Sequence, residues 1–348
     1  MRAFFSVEQL DHDPKQFMRE GRICDPADVK ERTQALLDAL DAWGIPVVAP
    51  DDYGLGPVLD VHAAHYLDYL ATAYQRWQTL SSPGIEVLPS HAPYLSGRVE
   101  SLGRPPCPST SPVAQAGYYL GDLSSPIGPH TYRSALRSAH CAVAAADEVV
   151  AGAAWAYALC RPSGHHVRYD RANGFCYINN AAVAVQRLRG RYERVAVMDV
   201  DVHHGDGTQQ IFYRRADVMT VSMHADPVAY YPFYTGYANE TGYGDGQGFN
   251  LNLPLPHGSG DPLFLETLDI GLDRICGYGA NALVLSLGFD AHVRDPLGVL
   301  KVGTACFEQL GRRVAQCELP VVVVQEGGYA IDHIGPCLAA FLSGLPAR

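Results

Sequence analysis

Residues 196–210 read AVMDVDVHHGDGTQQ. An apolar run that fits a buried strand ends in Asp199, Asp201, His203, His204 and Asp206, with Gly205 before and Gly207 after the last of these. In an extended chain alternate side chains share a face, so Asp199, Asp201 and His203 are expected to project together while Val200 and Val202 point the other way. Asp201 and His203 then offer an oxygen and a nitrogen donor to a divalent cation. Asp290, in SLGFDAHVRDPLG (286–298), supplies a second oxygen. Three protein ligands beside an open position make a catalytic zinc arrangement. Taken alone, the D-x-H pattern also fits a solvated loop. The adjacent pair His165–His166, in RPSGHH (161–166), has side chains whose ordinary pKa lies near neutrality and suits general acid/base work. Each needs a carboxylate to fix its tautomer, and Asp199 and Asp206 are free for that task.

These polar clusters share one kind of position. AWAYALC (154–160), RVAVMDV (194–200), NALVLSLG (281–288) and PVVVVQ (320–325) are apolar strand-like runs, and each is followed by a cluster of His, Asp or Tyr. Residues 217–224 and 249–255 are further strand-like runs. Helical patterns at about 131–151, 179–190, 262–277, 303–316 and 332–344 alternate with them. Strands alternating with helices predict an α/β fold built on a mainly parallel sheet with helices on both faces. In such sheets ligands bind beyond the carboxyl ends of the strands. Four separate strands therefore deliver these groups to one edge.

The first third is less regular. Residues 2–7 are strand-like. Residues 25–44 predict a helix, with Asp25 as cap, Pro26 in the first turn, Leu36, Leu37 and Leu40 on its core stripe, and Gly44 at its exit. A short strand is expected at 46–50 and a helix around 61–80, with Val61, Tyr66, Leu67 and Leu70 in phase. Residues 82–130 are rich in Pro, Gly and Ser and read as a long loop insertion that shapes a site entrance or a subunit contact. The expected organisation is a single domain, 1–348, carrying this insertion.

Of the 348 residues 47% are hydrophobic and 18% charged, which supports a sizeable core. A net charge of −11 argues against nucleic-acid binding, which wants a basic face, and is compatible with a cationic substrate. Nine scattered cysteines without a CxxC pair read as free thiols of a cytoplasmic protein rather than a disulfide framework. MRAFFSVEQL has no apolar h-region, and no stretch reaches about 18 apolar residues, so neither a signal peptide nor a membrane span is expected.

RPSGHH, NGFCYINNAAVA, DVDVHHGDGTQ, SLGFDAHVRDPLG and EGGY, in this order, resemble the zinc-dependent histone deacetylase superfamily, and more narrowly its bacterial acetylpolyamine amidohydrolase branch. The resemblance covers most of the chain, from VHAAHYLDYL (61–70) to the final helix, near 332–344. It implies an arginase/deacetylase-type fold and hydrolysis of the acetyl amide of a small acetylated amine to acetate and free amine. It puts one zinc ion on Asp201, His203 and Asp290. His166 matches the general base, partnered by Asp206, and His165 the second histidine, partnered by Asp199. Tyr329 matches the tyrosine that holds the substrate carbonyl. Phe175 and Tyr231 match the aromatic channel walls, the second of which is often Phe in this family, and Gly174 the backbone acceptor for the substrate N–H. A structural potassium site resembles one built from Asp199, Asp201, His203, Ser222 and Met223, partly through backbone carbonyls. The branch also implies a homodimer.

Other functions compete. Arginase-type ureohydrolases share the fold but hold two manganese ions through further carboxylates. Gly205 and His292 stand where those carboxylates belong, which favours one metal. A deacetylase of acetyl-lysine in peptides or proteins is an alternative, because Val113 and Ala114 occupy a region where an acidic rim residue is expected and Asp122 is the one carboxylate close by. A non-catalytic binder of acetylated amines would tolerate loss of Tyr329 or of a ligand, and this chain has the full set.

Overall fold

The computed structural model describes residues 1–92 and 103–346. In chain order the elements are β1 (Arg2–Phe4), β2 (Phe17–Arg19), β3 (Arg22–Cys24), α1 (Lys30–Ala42), β4 (Val47–Val48), α2 (Gly56–Leu59), α3 (Ala64–Trp77), α4 (Pro112–Tyr119), α5 (Thr131–Val150) and β5 (Trp155–Ala158). They continue with α6 (Asn180–Arg189), β6 (Val195–Asp199), α7 (Asp206–Phe212), β7 (Val218–Ala225), β8 (Asn250–Leu255), α8 (Asp261–Tyr278), β9 (Ala282–Leu287), α9 (Thr304–Ala315), β10 (Val321–Gln325) and α10 (Ile331–Ser343).

Among the described residues, eight strands form one sheet in the order β4-β1-β5-β10-β9-β6-β7-β8, and every ladder in it is parallel. Strand periodicity explains how both faces are covered. Val322 and Val324 of β10 enter a core shared with α3, α5 and α6. Val321 and Val323 enter a second core shared with α1, α8, α9 and α10. All four valines are fully buried, and burying one valine side chain contributes about 1.5–3 kcal/mol. Because the ladders are parallel, the carboxyl ends of β5, β6, β9 and β10 meet at one edge.

Three expectations need correction. The first helix starts at Lys30, not near Asp25, and Val29 precedes it without a side-chain cap. Asp28 explains the delay: its buried carboxylate pairs with Arg32 and, at 3.0 Å, with Arg161. The insertion is not one loop. Val87 and Ile127 bridge across its neck and it carries α4, while residues 93–102 lie outside the described residues. Three small elements were not expected at all: the β2–β3 hairpin, the four-residue α2 and the seven-residue α7. No helix among the described residues is long and apolar enough to cross a membrane.

The Asp28 network lies directly under the functional edge. Arg161 follows β5, and its guanidinium also donates to the Asp28 carbonyl at 2.7 Å; Arg32 donates to the carbonyls of Gly328 and, at 2.9 Å, Glu326. Burial pushes the Asp28 carboxyl up, but Arg161 and Arg32 outweigh it and hold the group at about 2. Asp28→Ala would strand two buried guanidinium groups. We expect it to destabilise the protein by about 3–5 kcal/mol, read as a lowered urea midpoint with an unchanged slope. A midpoint within error of the parent would refute that weight.

Candidate active site

The chain leaves β6 at Asp199 and then bends, so the extended alternation expected beyond that point is not kept. Two successive aspartate turns replace it. Asp199 Oδ1 accepts from the Asp201 N–H (3.1 Å), and Asp201 Oδ1 accepts from the His203 N–H (2.9 Å). Asp290 arrives from beyond β9, where its Oδ1 accepts from the Val202 N–H at 2.9 Å. His203 Nδ1 lies 3.1 Å from Asp201 Oδ1 and 3.2 Å from Asp290 Oδ2. Among the described residues these three form the one acidic or histidine cluster with metal-binding spacing, one donor from each within 4.8 Å of the others. Glycine is required around it: a Cβ on Gly288 would come within 2.2 Å of Asp201 Oδ2, and one on Gly327 within 2.2 Å of Asp290 Oδ2.

Hydrogen bonding assigns the His203 tautomer. The Tyr230 hydroxyl donates to the Leu297 carbonyl, so its oxygen accepts from His203 Nε2 at 2.9 Å. Nδ1 is therefore the ring nitrogen turned between the two carboxylates, the one that would ligate a cation held there. Burial and the neighbouring Asp201 charge push the Asp290 carboxyl up to about 7. Two buried carboxylates this close call for a cation, and an O₂N donor set suits a divalent one. His292 has turned away: it pairs with Thr304 Oγ1 (3.0 Å) and stacks on His333 at 4.9 Å. It adds nothing to a second metal position.

The two predicted histidine pairs are both present. His165 Nδ1 lies 3.0 Å from Asp199 Oδ2, and His166 Nδ1 lies 2.9 Å from Asp206 Oδ1. The start of α7 docks on the His165 carbonyl through the N–H groups of Gly207 (3.0 Å) and Thr208 (3.1 Å), which sets Asp206 beside His166. Arg168 Nε donates to the other Asp206 oxygen at 3.0 Å. Glu326 Oε2 accepts from the N–H groups of Gly164 (2.8 Å) and His165 (3.2 Å), so the segment bearing both histidines is fixed to the end of β10. Their environments separate them. Burial, assisted by the His165 charge, lowers His166 to about 4 against the pull of Asp206. Burial also opposes the charged form of His165, but Asp201 and Asp199 outweigh it and raise that group well above its ordinary value. A neutral imidazole thus sits beside one that favours the proton, the separation expected of an acid/base pair.

A cavity of about 280 Å³ leads to this floor, walled by Phe17, Phe175, Tyr231 and Tyr329 with His166 and His203 below. Phe17 and Phe175 meet edge to face at 5.4 Å, as do Phe175 and Tyr329 at 5.8 Å. Gly174 (φ 54°) and Phe175 (φ 67°) are both left-handed, a conformation that costs a bulky residue about 1–2 kcal/mol. A Cβ on Gly174 would lie 2.4 Å from His166 Cδ2. The Tyr231 hydroxyl donates to Asp122 Oδ2 at 2.8 Å, so that polar group is occupied on Asp122. Val113 packs half-buried against the core rather than lining the cavity. At the proposed potassium position, Asp199 of β6 and Ser222 of β7 are register partners, and Ser222 Oγ lies 2.8 Å from His224 Nδ1. Met223 is buried beside them.

Several contributors escaped sequence reasoning. Phe17 is on the unexpected hairpin. Tyr230 adjoins a residue that was assigned. Arg32 stacks on the Tyr329 ring at 4.6 Å, and Asp295 Oδ2 accepts from the Tyr329 N–H at 2.6 Å. For Arg168 the usable signal was its place two residues after His166.

Comparison with known proteins agrees with this geometry. Residues 26–345 match the histone deacetylase domain. The acetylpolyamine amidohydrolase of Burkholderia pseudomallei is 44% identical over 100% of this chain and 99% of its own, and that of Mycoplana ramosa is 38% identical over 99% of each. A crystal structure of acetylpolyamine aminohydrolase from Burkholderia pseudomallei superposes with a TM-score of 0.93, covering 99% of this chain and 98% of that one. With the mostly parallel sheet and the Asp–His–Asp centre in place, the chain belongs to the histone deacetylase family of hydrolytic, metal-dependent deacetylases.

Proposed function

We propose that this chain hydrolyses the acetyl amide of a small acetylated amine, of the acetylpolyamine type, releasing acetate and the free amine. The observation that carries this is the convergence of Asp201, His203 and Asp290 with the His166–Asp206 pair at the floor of an aromatic channel. A divalent cation on those three ligands, zinc in this proposal, supplies charge that polarises the amide carbonyl and acidifies water. His166, its Nδ1 held by Asp206, presents Nε2 to the water and takes its proton. Tyr329 donates its hydroxyl to the carbonyl oxygen as negative charge develops there. Gly174 accepts the substrate N–H, and Phe175 and Tyr231 hold its alkyl chain. The proton then passes from His166, or from His165, to the departing nitrogen.

The remaining parts of the proposal are one domain over 1–348, a structural potassium ion near Asp199 and Ser222, a homodimer as the family resemblance implies, and a cytoplasmic location. The nine cysteines, all without a disulfide, support a reducing compartment. The test is acetate release from acetylputrescine, acetylcadaverine, acetylspermidine and an acetyl-lysine peptide by zinc-loaded protein. We expect turnover of at least one acetylated amine, and a loss of about 10²–10³-fold in kcat for Tyr329→Phe. Equal turnover by the parent and Tyr329→Phe would overturn the mechanism. Zinc per chain and light scattering check the metal and the dimer.

A further inference from the structure

The left-handed pair Gly174–Phe175 does not hold itself in place. Two hydrogen bonds to one short segment at the end of the insertion hold it, and Tyr231 is tied to the same segment. The Gly174 N–H donates to Asp122 Oδ2 at 2.9 Å, and the Tyr231 hydroxyl donates to the same oxygen at 2.8 Å. The Phe175 N–H donates to Ser125 Oγ at 3.1 Å. The other Asp122 oxygen accepts from the Ser124 N–H at 2.9 Å. Asp122 thus meets three donors and no acceptor, a demand that a carboxylate satisfies and an amide does not.

The peptide linking Gly174 to Phe175 is trans, so its N–H and C=O point in opposite directions. Gly174 and Phe175 line the channel; Ser125 does not, and is fully buried behind them. The Phe175 N–H is anchored backwards onto Ser125. The Gly174 carbonyl must then face forwards into the channel. Among the described residues no hydrogen-bond donor uses that carbonyl.

We infer that Asp122 and Ser125 are positioning residues that aim the Gly174 carbonyl at the N–H of the scissile amide, and so make the channel selective for amides over esters. The inference rests on the amidohydrolase function proposed above. It gives the insertion a role in the chemistry: residues 122–125 form the back of the channel wall and set where the substrate nitrogen stops. An ester carries an oxygen where the amide carries N–H and has nothing to donate to the Gly174 carbonyl.

The test compares N-acetylcadaverine with the acetate ester of 5-aminopentanol, which differs by one N–H. Both are assayed with zinc-loaded parent, Ser125→Ala and Asp122→Asn proteins. For the amide, each variant is expected to lower kcat/KM about tenfold, the scale of a small misplacement at a reacting centre. For the ester, kcat/KM per folded enzyme is expected to stay within about twofold of the parent, and the amide-to-ester ratio is independent of the fraction of the protein that is folded. Tyr231→Phe removes one donor to Asp122 but leaves the Gly174 and Phe175 anchors, and is expected to keep the parental amide-to-ester ratio. Equal losses on both substrates would show that the segment supports the fold without aiming the carbonyl, and would overturn the inference while leaving the amidohydrolase function standing. Failure of the parent to hydrolyse any member of the amide panel would sink that function, and the inference with it.

Discussion

Asp290→Ala is expected to purify without stoichiometric metal and to lose activity by about 10³-fold or more, since a bound cation contributes several kcal/mol to a hydrolytic barrier. The fold should survive. Asp290 and Asp201 are buried like charges flanking one imidazole, and burial together with Asp201 already pushes the Asp290 carboxyl up to about 7. Removing one of them relieves that repulsion. The cost is a single orphaned donor, the Val202 N–H that Asp290 Oδ1 accepts at 2.9 Å. Elemental analysis and thermal unfolding in parallel check this. A chain that kept both its metal and its turnover would mean that the cation sits elsewhere.

His166→Ala is expected to do the opposite: keep the metal and lose about 10²–10⁴-fold in kcat, the usual worth of a general base. The substitution would ordinarily leave a buried carboxylate without its partner. Here Arg168 already donates to Asp206 at 3.0 Å, so the charge stays paired and the ligands stay put. Metal content at the parental level with turnover at least 100-fold down, by the same scale, is the expected pair of results. If turnover fell by less than tenfold, the proton would have to leave the water through another group, and His165 would be the candidate.

Much of this site could be read from the chain because its chemistry is local. Asp199, Asp201, His203 and Asp206 fall within eight positions, and His165 and His166 are adjacent. β10 was legible because it is apolar on both faces, as Val321 to Val324 show. What escaped notice depends on partners far apart in sequence. Asp28 looked like an ordinary residue of a helix start, yet it neutralises Arg161 across more than a hundred positions. That ion pair, not a capping signal, determines where α1 begins. Asp122 drew attention as a carboxylate near the channel rim, but only the fold shows it turned inwards to hold Gly174 and Tyr231. The β2–β3 hairpin has strands of three residues each, too short for periodicity to register.

The sheet order carries a consequence for biosynthesis. β10 is the last strand made, yet it lies in the middle, with β5 on one side and β9 on the other. It is the strand that joins β4-β1-β5 to β9-β6-β7-β8, and without it β5 and β9 would each present a bare edge, the kind that recruits other chains. The keystone and Tyr329 are delivered together at the close of translation. A chain that stops short of Val321 is expected to lack that junction and Tyr329 together, and to expose the edges of β5 and β9.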